Sequence, residues 1–179
     1  MLKNIDGLIF PCLKNGVHPF AGQCRHVATV NNVPVLAETY DCYDPAVKKE
    51  TGSICHVGSL TYTRGITHLV KAATQADCTL YLGGAFSPAA YQDEVLSLPE
   101  AAHTRYMGVL NRAQVMQLLQ KSQIGMATIL NVGQYNQYDN LATKVYEYMA
   151  LGIPVILSRS SYNEKVTAQY DFGICVDPA

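Results

Sequence analysis

No run of apolar residues in the chain reaches the ~18 residues that a membrane-spanning helix needs. The start, Met1-Leu2-Lys3-Asn4, does not lead into a signal peptide. Net charge is −1, without the basic excess that nucleic-acid binding requires, so nucleic acid is not an expected partner. Cysteine is present without pattern. The six, at 12, 24, 42, 55, 78 and 175, form no C-x-x-C, and no His/Cys group has zinc spacing. Cys55 and Cys78 sit inside apolar runs, which reads as reduced, buried thiols of a cytoplasmic protein. No D-x-D offers a metal-bridging pair for a diphosphate, so no metal is expected. No G-x-G-x-x-G follows a first strand, which a dinucleotide-dependent oxidoreductase would need. The histidines at 18, 26, 56, 68 and 103 are scattered and read as structural.

What is present is a globular composition. The chain has 179 residues, 49% apolar and 15% charged, enough for one domain with a real core. From residue 53 onward, strand-like and helix-like stretches alternate. Ser53 to Leu60, Cys78 to Leu82, Thr104 to Met107, Ile124 to Leu130, Ile153 to Leu157 and Gly173 to Val176 read as strands. Ile66 to Gln75, Pro88 to Leu96, Asn111 to Lys121, a stretch from about Ala142, and Tyr162 to Gln169 read as helices. Short connections between them predict a doubly wound, Rossmann-like parallel α/β sheet, with ligands at the carboxyl ends of its strands. Before residue 53, Ile5 to Phe10 reads as a strand, Ala21 to Val30 as a short helix and Pro34 to Ala37 as a strand. Asn131 to Asn140 reads as a polar, tyrosine-bearing loop.

Two stretches look chemical. In the first, 139–156, Leu141, Val145, Tyr148 and Met149 share one helical face, and Gly152 and Pro154 end the helix. Its amino-terminal N–H groups, at Leu141, Ala142 and Thr143, lack intrahelical partners and suit a phosphate. Glu147, one turn further in, is an acceptor-only group suited to paired ribose hydroxyls, or else it pairs with Lys144 on a solvated face. In the second, a strand ends at Gly58, a hydroxyl-rich loop from Ser59 follows, and a helix begins near Gly65. Gly58 permits close backbone approach to a ligand. Arg64 is a cation at a helix amino terminus, where the dipole opposes it unless an anion is bound.

The block from Asn140 to Ile156 resembles the donor-binding signature of retaining glycosyltransferases of the GT-B fold, the family-4 group (glycosyl transferases group 1). Thr143-Lys144, Glu147-Tyr148-Met149-Ala150, Gly152 and Pro154-Val155-Ile156 fall in register with it. Gly58 to Gly65 resembles the family's glycine turn, with Arg64 at the second of two diphosphate-clamping cations and Ser59 in place of the first. The signature's two acids, separated by seven residues, fall at Asp139 and Glu147. Tyr81-Leu82-Gly83-Gly84 is similar to the second glycine turn, and Tyr106 lies where the family borders the nucleotide base.

The resemblance implies transfer of a sugar from a nucleoside-diphosphate sugar to a glycan or lipid-linked acceptor, as in bacterial surface polysaccharide synthesis. It implies Asp139, Glu147 and Arg64 at the reacting centre. It implies Gly58, Ser59, Arg64, Tyr106, Leu141, Ala142, Thr143, Lys144 and Glu147 around the donor, with no metal and no cofactor beyond that donor. Residues 1–50 then read as the tail of an amino-terminal domain with its connector, and 51–179 as the donor domain, truncated at its carboxyl end. The acceptor would be held by a domain absent from this chain, and the chain alone is expected to bind donor weakly with little transferase activity. A non-catalytic nucleotide-sugar-binding module of the same fold is the alternative, given Ser59 and Asp139. The expected location is cytoplasmic, with peripheral contact to the inner face of the membrane left open for a longer protein.

Overall fold

A strand buried on both faces needs helices on both sides, and the repeated strands of this chain have them. The computed structural model describes residues 4–132 and 136–177, so residues 133–135 of the loop expected at 131–140 lie outside the described residues. In order, the elements are β1 (Gly7–Phe10), β2 (His26–Thr29), α1 (Leu36–Tyr40), β3 (Ser53–Val57), α2 (Ile66–Gln75), β4 (Thr79–Gly83) and α3 (Ala90–Leu96). There follow β5 (Thr104–Tyr106), α4 (Arg112–Lys121), β6 (Ile124–Ala127), α5 (Thr143–Ala150), β7 (Val155–Ser158), α6 (Ser161–Tyr170) and β8 (Gly173–Val176). Short 3-10 turns at Tyr62–Arg64 and Pro99–His103 lead into α2 and β5.

Strands β3 to β8 form one parallel, six-stranded sheet in the order β5-β4-β3-β6-β7-β8. This is the doubly wound α/β architecture expected from the alternation. The strand order reverses between β3 and β6, where Ile54 pairs with Leu80 on one side and Ile124 on the other. That reversal opens a crevice at the carboxyl ends of the strands. Successive side chains serve opposite layers. Ile54, Leu80, Leu82 and Met126 pack with α2 and α3 through Ile66, Val70, Tyr91 and Val95. Cys55, Tyr81, Ala127, Val155 and Leu157 pack with α4 and α5 through Leu119, Val145 and Tyr148.

Local chemistry sets the helices. In α2, Ile66, Leu69, Val70 and Ala73 fall on the buried face. Helix α4 starts at a capping box: the Asn111 side chain accepts from the Gln114 N–H, and the Gln114 side chain accepts from the Asn111 N–H. Helix α5 ends in a Schellman turn, with the Ile153 N–H on the Tyr148 carbonyl and the Gly152 N–H on the Met149 carbonyl. Gly152 has φ +63°, a conformation that glycine adopts without strain.

The amino-terminal stretch differs from expectation. Residues 26–29 are not helical but form β2, which pairs in parallel with β1, Gly7 opposite His26. The β-branched Val27 and Thr29 take a strand partner that lies far back in the sequence. The strand expected at 34–37 is extended only to Val35, because α1 begins at Leu36 and buries Thr39. The strands expected to reach Leu60 and Leu130 end at Val57 and Ala127, where the backbone turns out of the sheet toward the crevice.

Helix α5 approaches β6 at a position with no side chain. A Cβ on Gly125 would lie 2.5 Å from the buried Tyr148 ring. Gly125→Val is therefore expected to lower stability by about 1–3 kcal/mol through overpacking. A urea-unfolding midpoint equal to wild type would show that α5 can move away.

Candidate functional site

A cavity of about 500 Å³ opens at the strand-order reversal. Gly58 and Ser59 reach it from the end of β3, Arg64 from the turn before α2, and Ala142, Thr143 and Lys144 from the start of α5. The sequence reading named all six. Ser160 and Asn163 at the start of α6, Phe10 at the end of β1 and Cys12 just beyond it complete other walls. Arg64 and Lys144 are the charged residues of the lining, and no carboxylate lines it among the described residues.

The turns after β3 and β4 run side by side. The Gly58 N–H donates to the Gly83 carbonyl and the Leu60 N–H to the Ala85 carbonyl. They are so close that a Cβ on Gly84 would overlap the Gly58 carbonyl. Gly58 itself has φ +130°, and a Cβ there would lie 3.1 Å from Lys144 Nζ. Absence of a side chain at Gly58 thus leaves room for the ammonium. Lys144 Nζ also lies 3.2 Å from Nε2 of His56, which is fully buried in β3. Burial of the ammonium, then repulsion from Arg64, pulls Lys144 down to about 7, against opposing pulls from Cys55 and Glu147. Burial, then Lys144 and Arg64, holds His56 well below the usual imidazole range, so its ring is neutral at pH 7.

The start of α5 supplies donors as well as charge. The backbone N–H groups of Ala142, Thr143 and Lys144 have no hydrogen-bond partner among the described residues. The Thr143 hydroxyl accepts from Asn32 Nδ2 at 3.4 Å. At α6, Ser160 caps the helix by accepting from the Asn163 N–H, and the Asn163 side chain donates to the Ser158 carbonyl. The arrangement can hold an anion between two cations and a helix amino terminus.

Four residues named from the sequence stand outside this lining. Leu141 is buried in the core beneath α5. The Tyr106 ring packs edge-on against Phe86, and its hydroxyl donates to the Gly84 carbonyl at 3.0 Å, bracing the second glycine turn. The Asp139 carboxylate accepts from the Gly16 N–H, and its own N–H donates to the Leu13 carbonyl. Glu147 does not pair with Lys144. Its Oε1 pairs with Arg112 Nη1 at the start of α4, and Arg112 Nη2 donates to Thr39 of α1. The sequence reading missed Arg112, which is 35 residues from Glu147, and gave His56 no role. Their one sequence signal is type: a cation in the first turn of a helix, and a polar ring in an apolar strand.

Residues 44–179 match the model of the family described as glycosyl transferases group 1, and the chain belongs to that family. No curated protein sequence matches the chain. Among solved structures, the fold is similar to AviGT4, a glycosyltransferase involved in avilamycin A biosynthesis, with TM-score 0.67 and 19% identity over 84% of this chain and 44% of that one. It is similar to sucrose-phosphate synthase from Thermosynechococcus elongatus, with TM-score 0.64 and 17% identity over 99% of this chain and 46% of that one. A third is WaaG, a glycosyltransferase involved in lipopolysaccharide biosynthesis, with TM-score 0.62 and 13% identity over 84% of this chain and 43% of that one. The chain thus spans less than half the length of these structures. No described helix is long and apolar enough to cross a membrane.

The depressed Lys144 has a consequence for stability. Its folded value of about 7 lies below the ~10.4 of an unfolded lysine, so between those values the unfolded chain binds more protons. Stability from this group therefore rises with pH above about 7. Unfolding midpoints between about pH 7 and 8.5, below the ordinary cysteine range, are expected to climb less in Lys144→Met than in wild type. Parallel pH dependence in the two proteins would remove the assignment.

Proposed function

We propose that this chain is the donor-binding half of a retaining glycosyltransferase, and that the cavity holds the diphosphate of a nucleoside-diphosphate sugar. The observation that supports it is the convergence of Arg64, Lys144 and the start of α5 on one cavity that no described carboxylate lines. The anhydride would lie along the Gly58–Ser59 turn, with the distal phosphate on the free N–H groups of Ala142 and Thr143. Glu147 would take the ribose hydroxyls on Oε2, since Arg112 engages Oε1. Tyr106 would border the base through its backbone, and Leu141 would fix the start of α5 from below.

In the proposed reaction the bond between the anomeric carbon and the distal phosphate oxygen breaks, and the diphosphate leaves with the electron pair. The acceptor hydroxyl attacks from the same face, and its proton passes to the departing phosphate oxygen. Arg64, Lys144 and the α5 dipole stabilise the charge that grows on the leaving group, so no metal is required. Asp139, whose Oδ2 accepts from the Gly16 N–H, stands outside the cavity lining and would have to turn toward it to reach the sugar hydroxyls. Residues 1–50 would belong to a preceding domain, which would bring the glycan or lipid-linked acceptor. A role in bacterial surface polysaccharide synthesis, in the cytoplasm and at the inner membrane face, fits such an acceptor.

The bond between Asp139 and Gly16, together with the uncharged Ser59, favours one second reading: a nucleotide-sugar-binding module without transfer chemistry. The two part on whether a full-length protein consumes a sugar nucleotide.

Ligand-observed NMR with UDP, GDP, dTDP and NAD in competition tests the common part. A UDP or GDP signal is expected, lost in Arg64→Ala. Glu147→Ala is expected to weaken binding by about 1–3 kcal/mol, the loss of one hydrogen-bonded contact. NAD binding alone would sink the proposal.

A further inference from the structure

We infer that His56 is a positioning residue for the donor site: its Nε2 holds the Lys144 ammonium beneath the Gly58–Ser59 turn, where Ser59 itself brings no charge. The consequence for donor rests on the reading proposed above. The positioning itself rests on geometry.

A lysine ammonium sits on a flexible four-carbon stem, so something must choose its place. The groups that face it are His56 and Cys55 from β3, Arg64 from the turn before α2, and Glu147 on its own helix. Arg64 repels it, and no ion pair joins it to a carboxylate among the described residues. Glu147 is engaged by Arg112 instead. The Cys55 thiol is itself buried and pushed up, so it stays neutral. The acceptor left is His56 Nε2, at 3.2 Å.

The histidine is costly where it stands. Its Nδ1 is buried with no hydrogen-bond partner among the described residues, a burden that an apolar side chain of similar size would not carry. The side-chain contact the ring makes is with Lys144, and the Met126 and Ser59 backbone groups also lie beside the ring. In the tautomer that carries its proton on Nδ1, Nε2 accepts from the ammonium and so aims it. His56 does not line the cavity, whereas Lys144, Gly58 and Ser59 do, so it acts through the lysine. Ser59 brings no charge to this turn, and the ammonium lies 3.1 Å from the place a Cβ on Gly58 would take. The missing charge is therefore supplied from α5 across the cavity, with β3 providing the support.

A double-mutant cycle on the full chain tests this, with UDP and inorganic pyrophosphate as probes. His56→Phe keeps ring volume and removes the acceptor. His56→Gln restores an acceptor near Nε2. UDP affinity at pH 7 is expected to fall about tenfold in His56→Phe and to return toward wild type in His56→Gln. In a Lys144→Met background, His56→Phe is expected to change nothing further. An equal loss in that background would make His56 a packing residue and overturn the inference. A second readout needs no donor: the Lys144 ε-methylene NMR resonance should titrate at lower pH in His56→Phe and recover in His56→Gln. An unmoved titration would also overturn it. A moved titration in a chain that binds neither probe would instead sink the donor reading and leave the positioning intact.

Discussion

At the carboxyl ends of β3 and β4 two backbone turns lie too close to admit a side chain between them. A Cβ on Gly84 would overlap the Gly58 carbonyl, and one on Gly58 would press the Lys144 ammonium. The parallel pairing of β3 with β4, continued past the strand ends by the Gly58 and Leu60 N–H groups, imposes this approach. The cavity, the exposed start of α5 and the place of the ammonium follow from it. Tyr148 seated on Gly125 anchors the helix from below, and the Schellman turn at Gly152 fixes where α5 ends and β7 begins. A cation on α5 thereby meets a turn from β3 at the point where the strand order reverses.

Charge is sorted around that meeting point. Arg64 and Lys144 face the cavity, while the nearest acid on α5, Glu147, is drawn off to Arg112 at the start of α4. Without a counter-ion the buried ammonium is destabilised, and its fall to about 7 is that destabilisation in another form. A diphosphate would relieve it and restore the proton. Binding of such an anion at the proposed site would therefore be linked to proton uptake near neutrality. The Arg112–Glu147 pair also ties α4 to α1 through Thr39, which holds the carboxylate still.

The fold of the six-stranded sheet and its helices was legible in the sequence because its signals are local. The period of Ile66, Leu69, Val70 and Ala73, the Asn111 cap and the glycine at 152 each specify an element within a few residues. The amino-terminal stretch was not, because β2 exists through pairing with a strand about twenty residues back, which no window sees. In the site, the glycine turn and the helix start were readable as motifs. The partners of their side chains were not. Glu147 finds Arg112 across 35 positions, Lys144 finds His56 across 88 and Asp139 finds Gly16 across 123. Side-chain pairing at such separations is a property of the packed sheet, not of spacing.

The same limit bears on the segment before β3. β1 and β2 form a two-stranded parallel pair, an arrangement that cannot bury its own faces. Ile9 is 69% exposed, and Val30, Val35 and Leu36 also stand in solvent. Yet this segment delivers Phe10 and Cys12 to the cavity and the Gly16 N–H to Asp139. One wall of the site thus depends on an element whose remaining surfaces lack cover, while this chain covers less than half of each similar solved structure. The same segment holds Asp139: its carboxylate accepts from the Gly16 N–H and its N–H donates to the Leu13 carbonyl, so any shift of the 13–17 turn would be felt at the residue that leads into α5.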